Sequence, residues 1–328
     1  MKRFGAIALS VCLAGPASAD VDAALDRHIL PGLDAFADAA AKLERETAED
    51  CRAEALRPAW NAAFDAWTQI GDLRIGPSET GALSIAFWPD ARGFTPRTLS
   101  RLVAESDPIV FDPAAYSDVS IAARGLYALE MLIHDPAFAD YGRDSYGCAL
   151  ARAISSDLAG QAARLEQAWE EAFAETLRTA GAPDNAIYLD EDEAFRALYT
   201  QILSSLDFTA EQRLGRPMGE FDRPRPTRAE AWRSGRSLRN AVLAVDAAHA
   251  LAKVLADWPL PETDAAVARV HEAAAHIDDP SFQDLTNPQG RLRAEVLQQA
   301  VRGVRASLET ETGARLGITP GFNSRDGD

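Results

Sequence analysis

Three side chains in residues 120–135 could do chemistry together: the phenol of Tyr127, the carboxylate of Glu130 and the imidazole of His134. On a helix that turns about 100° per residue, they share an arc of roughly 60° beside an apolar stripe that faces the core. Phenolate and carboxylate oxygens are hard ligands that suit ferric ion. The alternative is that these residues have structural roles only. Glu130 would then be half exposed, Tyr127 would lie in the core with its hydroxyl hydrogen-bonded, and His134 would cap the helix end.

Two preceding residues bear on this face. Gly125 interrupts a helix-forming run at a cost of about 1 kcal/mol against alanine, which predicts that another segment packs closely against the backbone there. Arg124 is a candidate counter-ion for a buried Glu130. A second candidate is an arginine from residues 71–96, because an unpaired buried carboxylate would instead lose its charge.

The segment from Gly125 to Glu130 resembles the Gly-x-His-x-x-Glu motif of the imelysin-like proteins, a bacterial envelope family also classed as M75 peptidases and linked to iron uptake. Tyr127 stands where that motif has its histidine. Other pieces resemble the family in the same order along nearly the whole chain: Ala66-Trp67, Arg74-Ile75-Gly76-Pro77, Phe87-Trp88-Pro89-Asp90, Arg92-Gly93, Ser234-Gly235-Arg236-Ser237-Leu238-Arg239-Asn240 and the ending 321–328.

The resemblance implies an all-α protein of two helical-bundle halves, with a site at their junction. The expected ligand-binding residues come from both halves: Arg74, Arg124, Gly125, Tyr127, Glu130, Arg236 and Ser237. The candidate metal ligands are Glu130, Tyr127 and His28, with iron as the expected metal. His28 lies where Pro31-Gly32 breaks or kinks the first helical run.

Residues 1–19 have the parts of a secretory signal: Lys2 and Arg3, an apolar run over 7–14, and a small-residue cleavage site that ends at Ala19. We therefore expect a periplasmic mature protein. Cys12 lies inside the apolar run without the small residue that a lipoprotein signal requires before it, so no lipid anchor is expected. No later segment approaches 18 uninterrupted apolar residues, so no membrane span is expected either.

The charge balance is strongly acidic. The formal net charge is −17, and loss of Lys2 and Arg3 with the signal would make it −19. This balance argues against nucleic acid or anionic lipid as a partner. It is compatible with attraction of cations, although acidic surfaces also simply keep proteins soluble.

Two cysteines remain after residue 19, Cys51 and Cys148. In an oxidising compartment an even pair predicts a disulfide. A loop of this length would give roughly 4 to 5 kcal/mol of stabilisation in the chain-entropy model. A metal site is the weaker alternative, because neither cysteine has a second cysteine or a histidine nearby.

The apolar periodicity and the scarcity of β-branched runs predict helices throughout. We expect an N-terminal bundle over 20–182 and a C-terminal bundle over 183–328. A long helix is predicted over 144–178 and another over 228–256, whose polar patch from Ser234 to Asn240 would face the other half. Residues 71–96 are expected to form an irregular insert that covers the mouth of the site.

Three functions remain open from the sequence. The first is a non-enzymatic component of iron or other metal uptake that binds a metal ion, a chelate or other envelope iron-uptake proteins. The second is an M75-type metallopeptidase, and the third is an interaction module without metal. No His-Glu-x-x-His pair or Gly-x-Ser-x-Gly elbow is present. Since peptide hydrolysis needs a nucleophile or a metal-bound water, we expect no peptidase activity.

Overall fold

The structure is a computed structural model that describes residues 20–313, and its regular structure there is helical. Over this range no strand forms, and a single bridge joins Glu220 to Arg223. The predicted signal at 1–19 and the family-like ending at 321–328 lie outside the described residues. The all-α expectation is confirmed.

The helices up to residue 178 are α1 (Val21–Ala24), α2 (Leu30–Glu49), α3 (Ala53–Ile70), α4 (Ser78–Ile85), α5 (Phe94–Glu105), α6 (Pro113–Tyr116), α7 (Gly125–His134), α8 (Tyr146–Ala168) and α9 (Ala174–Arg178). The later helices are α10 (Glu191–Phe208), α11 (Arg216–Met218), α12 (Ser237–Ala256), α13 (Pro261–Ala275) and α14 (Pro288–Leu308). The predicted boundary at 182/183 falls between α9 and α10. A continuous apolar core runs through both parts, and α12 packs against α3.

Several helices continue into π-helical turns, at Leu25–Ile29, Trp169–Phe173, Thr209–Gly215 and Glu309–Gly313. The first precedes Pro31, which lacks the N–H that a regular α-helical ladder would need. The second joins α8 to α9, so the helix predicted over 144–178 runs through as a single rod. Single-turn π segments often occur at functional sites.

Three predicted elements need correction. The helix expected over 120–135 begins only at α7, because Gly125 adopts a left-handed φ of 71° and Arg124 is extended. The helix expected from 228 begins at Ser237, after a turn in which Gly235 has a φ of 73°. The insert at 71–96 is not irregular throughout, since it contains all of α4 and the first residues of α5.

The disulfide between Cys51 and Cys148 is confirmed, with 5.3 Å between the two Cα atoms. Cys51 lies just before α3 and Cys148 lies in the first turn of α8. Over residues 20–313, no helix combines the length and apolarity that crossing a membrane requires.

Candidate functional site

Helix α7 supplies the centre of the site, and its first residue sets its position. A side chain at Gly125 would overlap the carbonyl oxygen of Ile85, so glycine is needed here both for its φ and for this close approach. On the opposite side, the indole N–H of Trp60 donates to the carbonyl of Leu126 at 3.0 Å. The predicted close backbone contact at Gly125 is therefore present, with α4 as the neighbour.

A pocket of about 330 Å³ opens where α7 meets two further segments, 87–96, which runs into the start of α5, and 227–233. The first segment comes from the early part of the chain and the second from the late part. Tyr127, Glu130 and Met131 of α7 form part of its lining. The irregular part of the predicted insert, at 87–91, lies at this pocket, as expected of a segment that borders a site.

A chain of buried ionic contacts underlies the pocket. The hydroxyl of Tyr127 donates to Glu230 Oε1 at 2.5 Å, and Arg213 Nε donates to Glu230 Oε2 at 2.9 Å. Two further nitrogens of Arg213 donate to Asp72 at 2.8 and 3.0 Å, and Ser205 donates to Asp72 at 2.7 Å. We call Asp72, Arg213, Glu230 and Tyr127 the floor network. It joins the first part of the chain to the second.

Contacts within the floor network determine the protonation states of Tyr127 and Asp72. Burial, and then the adjacent Glu230 carboxylate, raises the pKa of Tyr127 well above its ordinary value, so the residue is a neutral phenol. Burial alone would raise the pKa of Asp72, but the Arg213 guanidinium and the Ser205 hydroxyl hold it below its usual value. The network is therefore closed: each acid has a donor, and Arg213 lies between the two carboxylates.

Glu130 is equally buried but differently supported. It is 4% exposed, and its two hydrogen bonds come from the N–H of Ser234 at 3.0 Å and the Ser234 hydroxyl at 2.9 Å, both to Oε1. Burial raises the pKa of Glu130 to about 7, although the Ser234 donors and Arg233 act in the opposite direction. Glu130 can therefore gain or lose a proton near neutral pH inside the pocket.

Neither predicted counter-ion reaches Glu130. Arg124 donates to both oxygens of Asp157 on α8, at 2.7 and 2.8 Å, because it lies in the extended residue before α7 and points away from the pocket face. Arg74 donates its backbone N–H to Gln201 at 2.8 Å, and its guanidinium lies near Asp72. The expectation of arginine compensation at Glu130 is wrong, and Ser234 takes that role.

Arg236 faces the first part of the chain, as predicted for its polar patch, whereas Ser237 bonds within the second part. Arg236 is 3% exposed and donates to Asn61 at 2.6 Å and Asp65 at 2.5 Å. The Ser237 hydroxyl donates to the carbonyl of Glu230 at 2.6 Å. These residues hold the 229–236 segment in place, so they position the pocket without forming its lining.

The two histidines are not at the pocket. His28 lines a small separate cavity beside Asp72 and Thr68, and burial lowers its pKa. His134 packs its ring on Trp60 at 5.1 Å, and burial, then Arg57 and Arg236, lowers its pKa to about 4. The expected face of three side chains therefore presents only Tyr127 and Glu130 to the pocket, and His28 is not brought to them.

Sequence reasoning missed the cationic and aromatic part of the lining. Arg216, Arg228 and Arg233 line the pocket together with Trp88 and Trp232. Arg233 is paired with Asp135 at 2.6 Å and lies over the Trp232 ring at 4.5 Å. Two local signals existed: Trp88 lies in the family-like piece Phe87-Trp88-Pro89-Asp90, and residues 232 and 233 adjoin the family-like segment that begins at Ser234.

The donor set does not fit a bare metal ion. Tyr127 keeps its proton and donates it in a hydrogen bond to Glu230, and Glu230 is already paired with the guanidinium group of Arg213. Only Glu130 then remains as an anionic candidate at the pocket floor. Within residues 20–313, no group of three His, Cys, Asp or Glu side chains is placed to hold a metal ion.

The described residues thus define a helical protein whose pocket lies beside the helix that begins at Gly125 and contains Glu130. The Imelysin (Peptidase M75) family model matches residues 29–308, so this chain belongs to the imelysin family.

Relatives and solved structures agree with this assignment. The chain is 22% identical to iron-regulated protein A of Synechococcus elongatus, with 88% of this chain and 83% of that protein covered. The fold is similar to an imelysin-like protein from Psychrobacter arcticum 273-4, with a TM-score of 0.72, 17% identity, and 92% and 96% of the two chains covered. It is also similar to a putative iron-regulated protein A precursor from Parabacteroides distasonis ATCC 8503, with a TM-score of 0.70, 14% identity, and 93% and 97% covered.

Proposed function

We propose that this protein is a non-enzymatic component of iron acquisition that acts in the periplasm and binds an iron chelate in the junction pocket. The observation that carries the proposal is the pocket itself, which lies at the family-like helix α7 and is bordered by both parts of the chain. The names of two relatives, iron-regulated protein A and a putative precursor of it, support the link to iron.

A chelate suits the pocket better than a bare ion does. Concave sites of about 300 to 1,000 Å³ are typical for small molecules, and the cavity here, at about 330 Å³, is at the lower end of that range. The aromatic walls from Trp88 and Trp232 would contact the organic part of a chelate. A bare ion would instead need several carboxylate, imidazole or thiolate ligands around it.

Peptidase activity is not part of the proposal. Glu130 is the one pocket acid with a pKa near neutrality, and a general base alone does not supply the nucleophile or activated water that peptide hydrolysis requires. The proposed role is therefore capture and delivery, with partner proteins of the envelope as recipients.

The test is a fluorescence titration of the purified protein with ferric citrate, since Trp88 and Trp232 would report a bound ferric complex. We expect saturable binding of one complex per chain. Ala91 is exposed at the pocket, so Ala91→Trp should fill the entrance and weaken binding at least 10-fold without affecting the core. Ala114→Trp, on exposed α6, is the matched control and should bind normally.

Two results would overturn the proposal. One is the absence of binding by ferric citrate and by a second ferric complex such as ferric nitrilotriacetate. The other is unchanged affinity in Ala91→Trp when circular dichroism shows that this variant is folded, because the complex would then bind elsewhere.

A further inference from the structure

The pocket carries arginines that have no acidic partner. Arg216 donates to the side-chain amide oxygen of Gln212 at 3.2 Å, and it lies near the guanidinium groups of Arg228 and Arg225. Within residues 20–313, no carboxylate forms an ion pair with Arg216, Arg225 or Arg228. Burial and these two neighbouring cations lower the pKa of Arg216. Like charges are thus held together at one edge of the pocket.

These three arginines lie in a strongly acidic chain. Acidic residues outnumber Lys and Arg by 50 to 33, so carboxylates are available for pairing over most of the surface. Three of the most buried arginines elsewhere, Arg124, Arg213 and Arg236, are each paired with a carboxylate. Three adjacent guanidinium groups without a carboxylate repel one another, and an anionic ligand would relieve that repulsion.

The pocket acids do not offset these cations. Asp90 accepts from the N–H groups of Phe94 and Thr95 at 2.9 and 2.8 Å, so its charge is directed to the start of α5. Glu130 can be neutral near pH 7, and a neutral carboxyl group donates a hydrogen bond. An entering carboxylate would then meet guanidinium donors on one side and a carboxyl donor at the floor.

We propose that the junction pocket is a binding site for a small organic anion with carboxylate groups, held by Arg216 and Arg228 against the walls formed by Trp88 and Trp232. This inference rests on the proposed function and deepens it, since it makes the chelate an anionic one recognised through its organic part. Guanidinium groups bind carboxylates through two parallel hydrogen bonds, which gives both charge and direction.

The pocket also makes the pH dependence of binding informative. The charged and titratable groups that face Glu130 or line the same pocket are Tyr127, Glu230, Arg233, Asp90, Arg216 and Arg228. Of these, Glu130 is the group whose pKa lies close to neutral pH. Binding of an anion should strengthen as the pH falls from 8 to 6 and Glu130 takes up its proton. Binding of a cation would strengthen in the opposite direction.

The experiment measures the affinity of iron-free citrate, ferric citrate and the uncharged trimethyl ester of citrate, each at pH 6 and pH 8, by calorimetry. We expect the ester to bind at least 10-fold more weakly than citrate at both pH values. Arg216→Gln and Arg228→Gln should each weaken citrate binding about 10-fold or more, which is the range for a lost charged hydrogen bond. Arg101→Gln, at an exposed site on α5 outside the pocket, removes the same charge and should bind as the parent does.

Glu130→Gln gives the decisive comparison because it imitates the neutral acid. Because citrate itself titrates over this pH range, the variant and the parent are compared at the same pH. We expect nearly equal citrate affinity at pH 6 and weaker binding by the parent at pH 8. Equal citrate affinity in the parent, Arg216→Gln and Arg228→Gln would overturn the inference. Affinity that rises with pH and disappears in Glu130→Gln would indicate a cation site and would overturn it too.

The outcomes separate the two proposals. If ferric citrate binds and Ala91→Trp blocks it, but the arginine variants bind it normally, the pocket function stands and the anion inference fails. If iron-free citrate binds through the arginines but no ferric complex does, the anion site stands and the role in iron acquisition fails.

Discussion

Glu230 and Glu130 are two buried acids beside the same pocket, and they have opposite electrostatic support. Glu230 is 3% exposed and accepts from Arg213 and Tyr127, so a guanidinium group in direct contact compensates it inside a closed network. Glu130 is 4% exposed and has only the two donors of Ser234. Burial is the same in the two cases. The difference lies in whether a full positive charge is in contact.

This difference divides the site into a structural part and an adjustable part. In the floor network the charges compensate one another, which fixes the relative positions of α7, α10 and the 229–236 segment. In the pocket above it, no cation among residues 20–313 is bonded to Glu130, and no carboxylate in that range is paired with Arg216 or Arg228. A ligand that enters this cavity can supply the missing partners of Glu130 and of the two arginines.

The largest effect should come from breaking the floor network with Arg213→Leu. This change leaves Asp72 and Glu230 as buried carboxylates without their cation, and loss of one partner of a buried ion pair costs about 3 to 5 kcal/mol. Urea denaturation at pH 7 measures the loss of stability. Arg302→Leu removes an exposed arginine paired with Glu211 and should cost less than about 1 kcal/mol.

The Arg213→Leu penalty should also shrink as the pH is lowered, because protonation of Asp72 removes part of the uncompensated charge. A penalty no larger than that of Arg302→Leu would mean that the floor network does not hold the two parts of the chain together, and the contrast between the two acids would lose its meaning.

The second effect is the pH dependence that Glu130 imposes on stability. Its pKa in the folded protein is about 7, above the ordinary value of 4.5, so the folded state keeps a proton that the unfolded state releases. The contribution of Glu130 to stability is therefore complete below pH 4.5 and is lost as the pH rises to 7. The loss should be about 3 kcal/mol.

Glu130→Gln cannot release a proton, so it should not show this loss. We expect the stability of the variant relative to the parent to increase by about 3 kcal/mol between pH 4.5 and pH 7.5, measured by urea denaturation across that range. Carboxylates such as Asp72, whose pKa is lowered, titrate below this window in both proteins and cancel in the comparison. A constant difference across the range would show that Glu130 is an ordinary surface acid.

Much of the fold follows from local sequence, and the two acids show where local reasoning stops. Helices, the Cys51–Cys148 bond and the close contact at Gly125 depend on periodicity, compartment and backbone conformation, all of which can be read along the chain. The position of Glu130 on the same helix face as Tyr127 also follows from the helical period, which is a local property.

The partners of these acids could not be read in the same way. Tyr127 and Glu230 are 103 residues apart. Arg213 is buried in a π-helical segment, and the apolar periodicity of the sequence did not predict that segment. Arg124 was assigned to Glu130 because it is close in sequence, yet its extended backbone directs it to Asp157. Tertiary packing decides which donor contacts which acid. Glu130 could therefore be identified from the sequence, but its hydrogen-bond partners could not.

The smallest effect in this comparison should come from Ser234→Ala, which removes one of the two donors to Glu130 and leaves the backbone N–H in place. A hydroxyl bond to a carboxylate is stronger than one to a neutral carboxyl group, so the cost should be about 1 kcal/mol at pH 8 and clearly less at pH 5. The pKa of Glu130 should rise above 7 in this variant, which a carbon-13 NMR titration of the side-chain carboxyl would measure. Ser307→Ala is the control, because its hydroxyl donates to the carbonyl of Gly303 within α14 and its effect should not depend on pH. If Ser234→Ala has the same cost at both pH values, then the Ser234 hydroxyl does not stabilise the charged form of Glu130, and the backbone N–H alone supports this acid.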